Sequence, residues 1–160
     1  MRRYLPTYRR CFVCGTKNSL GLHVRPFVED NQVVIEFTPR EEHMGFKNVV
    51  HGGIVASLMD EASFWVATLA SHKVCVTAQM RIRYTKPLSV GTPTITSAQL
   101  VRREGHRRII VEAHSRDRAG NLYASATSTF VIVPGDLKEA FSDDPSIAGA
   151  DLQQYSIRPE

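Results

Sequence analysis

The chain has 160 residues, of which 42% are hydrophobic and 22% charged, an ordinary balance for one folded domain with a sizeable core. No apolar run reaches the roughly 18 residues of a membrane span, and the four arginines of residues 1–10 are not followed by an apolar stretch, so neither a spanning helix nor a secretory signal is expected. The net charge of +4 is uneven: residues 134–160 hold six acids and two bases, and the rest is mildly basic, which suits an anionic small ligand; with no lysine stripe or nucleic-acid motif, a nucleic-acid partner is not expected.

Residues 1–22 read as an irregular lead-in, with Pro6, a Cys11-x-x-Cys14-Gly15 turn and Gly21. Three cysteines, an odd number, do not form a disulfide framework and fit a reducing cytoplasm. From His23 the pattern becomes strand-like: Val33, Ile35 and Phe37 alternate with Val34, Glu36 and Thr38, and Asp30-Asn31 marks a hairpin turn. A polar loop over 39–51 leads to His51-Gly52-Gly53. The spacing then predicts a helix over 53–71, apolar around most of its circumference and so buried on most sides. Alternating runs at 74–86, 92–103, 106–118 and 121–133 follow, separated by Pro87 with Gly91, Glu104-Gly105 and Ala119-Gly120-Asn121. That order implies an α+β domain over 23–133, a curved antiparallel sheet of five to six strands around one central helix. The acidic tail, 134–160, is expected to be loosely ordered or draped on the surface.

The helix start carries the chemistry. Glycine is a poor helix interior residue, but at a helix start it lets a ligand approach free N–H groups at the positive end of the dipole. Asp60 and Glu61 sit further along the same apolar helix, where a carboxylate is costly unless partnered or chemically employed. A polarising helix end and a placed acid point to carbonyl chemistry.

The ordered set Cys11-Phe12-Val13-Cys14-Gly15 with Asn18 and Gly21-Leu22, His51-Gly52-Gly53 with Asp60-Glu61-Ala62, Tyr84-Thr85-Lys86-Pro87-Leu88 with Gly91, and Asp117-Arg118-Ala119-Gly120-Asn121-Leu122 resembles the hotdog fold. Within that fold it is most similar to the 4-hydroxybenzoyl-CoA thioesterase superfamily, in its phenylacetate-pathway-type branch. The resemblance implies acyl-CoA thioester hydrolysis by an obligate homodimer or a dimer of dimers, with coenzyme A as part of the substrate and no separate cofactor or metal. It also implies that a glycine amide at the helix start polarises the carbonyl, which by position is Gly53 with Gly52 adjacent, and that Asp60 is general base or nucleophile. Relatives carry an asparagine six residues before the histidine; here that position is Gly45, and the nearest asparagine is Asn48.

Seven residues separate Gly53 from Asp60, about 10 Å along the helix axis, too far for both to act on one thioester. Two antiparallel helices from two subunits remove the difficulty, so the catalytic reading requires a dimer. Gly53, Ser57, Asp60 and Phe64 share a helix face, whereas Glu61 lies about 100° away, which favours Asp60 as the reacting acid. Glu61 is the second candidate for the reacting acid; its competing role is that of a structural acid, with Arg81 or Arg83 as its expected partner. Ser57 is a close-packing residue or a ligand for water or the acyl carbonyl, His51 a backbone-bonded residue at the loop or a substrate contact, and Phe46, Phe64 and Trp65 candidate pocket walls. Arg81 and Arg83 are also candidate phosphate ligands. Cys11-x-x-Cys14 reads as a tight structural turn, since Cys75, His23 and His43 are scattered and do not complete a metal set. The alternatives are a non-catalytic acyl-CoA-binding module and an enoyl-CoA hydratase or dehydratase.

Overall fold

A computed structural model of the chain describes residues 1–155 and 157–159; Ser156 and Glu160, both within the tail, lie outside them. The strands are β1 (Arg3–Tyr4), β2 (Phe27–Glu29), β3 (Gln32–Phe37), β4 (Met44–Phe46) and β5 (Val49–Val50). After the helix α1 (Gly52–Ser71) come β6 (Cys75–Tyr84), β7 (Thr94–Glu104), β8 (Arg108–Asp117) and β9 (Leu122–Ile132). Asp30 and Asn31, with φ of 48° and 62°, form the tight turn between β2 and β3, since asparagine and aspartate tolerate left-handed backbone.

The main sheet has the order β1-β2-β3-β7-β8-β9-β6, antiparallel throughout, and β4–β5 forms a separate hairpin. This is the expected antiparallel sheet around one helix, but with seven strands instead of five or six. Arg3–Tyr4 extends the β2 edge, and two residues are too few to show a period. Leu58, Met59, Ala62, Trp65, Val66 and Leu69 of α1 are buried in one core with Val33, Ile35, Leu100, Val111 and Phe130 of the sheet. Each large apolar side chain so buried contributes about 1.5–3 kcal/mol. By length and composition α1 could cross a membrane, yet here it is the core helix. Gly53, Ser57, Asp60, Glu61 and Phe64 form its less buried strip.

Strand β6 is a sheet edge, bonded among the described residues only to β9. Its register slips between Thr77 and Gln79, leaving Ala78 as a bulge. The bulge changes which face each side chain takes. Cys75 and Thr77 point toward the helix before it, and Met80, Ile82 and Tyr84, opposite Ser128, Ala126 and Ala124, point inward after it. Arg81 and Arg83 consequently stand on the outer face.

The tail forms α2 (Leu137–Ala140), α3 (Pro145–Ala148) and a 3-10 turn at Leu152–Gln154. It lies across the N-terminal segment and the β2–β3 turn: Tyr155 Oη donates to the Tyr4 carbonyl at 2.7 Å, and the Arg158 N–H donates to Asn31 Oδ1 at 3.0 Å. Ile147, Leu152, Tyr155 and Ile157 are buried by this packing.

Candidate active site

His51 caps α1 in extended backbone, φ −60° and ψ 132°, and its Nδ1 accepts the Gly53 N–H at 2.9 Å. The amide singled out by sequence is therefore already bonded to the capping side chain. One residue earlier, among the described residues, nothing accepts the Gly52 N–H. Tyr84 Oη donates to the Gly52 carbonyl at 2.8 Å, and a Cβ on Gly52 would lie 3.2 Å from that hydroxyl, so glycine lets β6 close over the helix start. Gly45 packs against His51, where a Cβ would come 3.2 Å from His51 Cα. Asn48, with φ of 57°, makes the β4–β5 turn, and its carbonyl accepts from Val90 N–H at 3.3 Å. A left-handed turn position accounts for asparagine there, and it lines neither cavity described below.

Two turns along, Thr77 Oγ1 donates to Asp60 Oδ1 at 2.8 Å. Burial lifts the Asp60 carboxyl above the ordinary range, and the Thr77 hydrogen bond pulls the other way. Asp60 opens on a cavity of about 270 Å³ shared with Tyr8, Cys11, Glu61, Phe64 and Trp65. Gly52 opens on a different groove of about 410 Å³, with Phe46, Tyr84, Lys86 and Tyr123 on its walls. Gly52 and Asp60 are about 12 Å apart along the axis.

Glu61 does not pair with Arg81 or Arg83, because the Ala78 bulge turns both arginines outward. Its Oε1 accepts from Trp65 Nε1 at 3.1 Å, and its Oε2 lies 3.5 Å from Cys11 Sγ. Burial and the neighbouring Cys11 charge push the Glu61 carboxyl up to about 7. Hydrogen bonds from the Cys14 thiol and from the Cys14 and Val13 amides bring the Cys11 thiol down to about 5. Cys14, donating to Cys11 and buried, is pushed up. Ser57 Oγ donates back to the Gly53 carbonyl at 2.8 Å, and the Phe64 ring meets Trp65 edge-on at 5.6 Å. Thr77 had no role in the sequence reading, and Tyr84 entered it only as part of a family-like motif, not as a site residue. Their alternation was visible, but not that β6 runs antiparallel to α1.

A curved sheet around a helix whose glycine start and mid-helix acid are both held by β6 defines a hotdog-type domain. The family model described as "Thioesterase superfamily" matches residues 47–124, and the chain belongs to that superfamily. Two proteins of Saccharolobus solfataricus that bear esterase names are similar to it. SSO1253 is 34% identical over 61% of this chain and 65% of its own length, and SSO2140 is 30% identical over 66% and 75%. Among solved structures, the thioesterase superfamily protein RHA08564 has a TM-score of 0.70 at 29% identity, over 77% of this chain and 60% of that one. The protein smu.793 of Streptococcus mutans, solved with acetyl-CoA, has a TM-score of 0.58 at 21% identity over 68% and 86%. The chain thus spans less than two thirds of SSO1253 and of RHA08564.

Proposed function

We propose that the protein hydrolyses acyl-CoA thioesters at two equivalent sites formed between two copies of the chain. The observation that carries this reading is the antiparallel run of α1 and β6: Tyr84 is tied to Gly52, and Thr77 to Asp60. Pairing two β6 edges about a two-fold axis between Met80 and Arg81 sets Thr77 opposite the partner's Tyr84, and so brings Asp60 beside the partner's Gly52. The edge supports such pairing, for it is ten residues long with Val76 47% and Tyr84 51% exposed. The less buried strip of α1 would be covered by the same event.

In that site the thioester oxygen takes the Gly52 N–H at the positive helix end, while Gly53 stays held by His51. Burial makes Asp60 a stronger base than a solvated carboxylate. It takes a proton from water, the hydroxyl attacks the carbonyl carbon, the carbon–sulfur bond breaks, and the coenzyme A thiolate leaves and takes the proton. Lys86, its Nζ 4.9 Å from the Tyr123 ring centroid on the groove wall, offers a cation to the coenzyme A phosphates. The smu.793 complex and the family membership support this substrate class, and the odd thiol count supports a cytoplasmic setting.

The test is thiol release from a panel of aryl and aliphatic acyl-CoA substrates. Asp60→Asn should lower the rate by about 10²-fold or more. Full activity in that variant, or binding without thiol release by the wild type, refutes the reading.

A further inference from the structure

We propose that Cys11, Cys14 and Glu61 form a zinc site that fastens the N-terminal segment to the central helix. The hydrolysis described above does not use this cluster. The two thiol sulfurs and one carboxylate oxygen lie within 4.8 Å of one another. Zinc bonds of about 2.3 Å to sulfur and 2.1 Å to oxygen, meeting at a tetrahedral angle, separate those donors by about 3.6 Å. Cys11 Sγ and Glu61 Oε2 are 3.5 Å apart.

The loop is shaped for a thiolate. Cys11 Sγ accepts the Val13 N–H at 3.2 Å and the Cys14 N–H at 3.4 Å, two backbone donors converging on one sulfur. Gly15 closes the knuckle by donating to the Cys11 carbonyl at 3.0 Å. A Cβ there would run into the Cys11 carbonyl and come 2.6 Å from the Arg9 carbonyl, so only glycine fits.

The donor set also lacks a cation. Among the described residues no ion pair reaches Glu61, although its carboxylate is set against sulfur in a largely buried place. A divalent ion supplies the missing charge, and two thiolates with one carboxylate select zinc over magnesium or calcium. Three protein donors leave a fourth position for water, toward the cavity that Tyr8, Asp60 and Phe64 also line.

The test uses the full chain, purified under reducing conditions and titrated with cobalt(II), then with zinc. The expected result is one metal per chain, with an intense near-ultraviolet thiolate-to-cobalt absorption that zinc displaces. Cys11→Ser and Cys14→Ser should abolish that absorption, Glu61→Gln should weaken binding about tenfold or more, and Cys75→Ser should leave it intact. The wild-type titration decides even if a serine variant fails to fold. No thiolate–cobalt absorption in the folded, reduced wild type overturns the proposal, as does an absorption that survives in folded Cys14→Ser.

Discussion

Replacing Thr77 by valine keeps the shape of a β-branched side chain and removes one hydrogen bond, the 2.8 Å contact to Asp60 Oδ1. That bond favours the ionised carboxylate, so its loss must raise a carboxyl already lifted by burial. A hydrogen bond to a charged group contributes about 1.5–3 kcal/mol, and one pH unit corresponds to about 1.4 kcal/mol. Thr77 lies at an exposed sheet edge, so the lower figure applies, and the expected change is about one pH unit. The base must be ionised to accept a proton, so kcat/KM rises with pH through the Asp60 pKa. In Thr77→Val the acid limb should therefore move upward by about one unit, with the rate recovered on the alkaline side. Thiol release followed from about pH 4 to about pH 8 reads this directly. An unmoved limb with a uniform loss of rate, or a limb displaced downward, refutes the role given to Asp60.

Other consequences follow from packing. Gly15→Ala forces a Cβ between backbone carbonyls of Cys11 and Arg9 and should cost about 1–3 kcal/mol, seen as a lower denaturant midpoint. Trp65→Ala empties a side chain that is 1% exposed at the centre of the core, with an expected loss of about 3–5 kcal/mol in equilibrium unfolding. Tyr155→Phe removes the 2.7 Å bond to the Tyr4 carbonyl and should cost about 1 kcal/mol in the same measurement.

Much of this architecture is legible in the residues. The alternation of Val33, Ile35 and Phe37 and the long runs after the helix carry the period of half-buried strands, and the apolar circumference of 53–71 marks the central helix. What stays hidden is whatever depends on one residue of register or on distant partners. The Ala78 bulge has no periodic signature, yet it decides that Arg81 and Arg83 face outward while Tyr84 reaches Gly52. Cys11 and Glu61 are 50 residues apart, so a search for local ligand spacing finds only the cysteine pair. A backbone-bonded His51 is expected from the sequence, but that it claims the Gly53 amide becomes plain only once the helix is seen to begin at Gly52.

The shared site can be tested by mixing two inactive parents. Asp60→Asn removes the base. Gly52→Pro removes the carbonyl donor at the helix position that best accepts proline, after a His51 already extended at ψ 132°. A Tyr84→Phe change in the same chain removes the hydroxyl that a new Cβ would crowd. Unfolded together and refolded as an equimolar mixture, half the dimers are mixed and each carries one intact site, so activity should return to about one quarter of wild type. Mixed dimers as inactive as both parents would show that Gly52 and Asp60 do not meet across the two-fold axis.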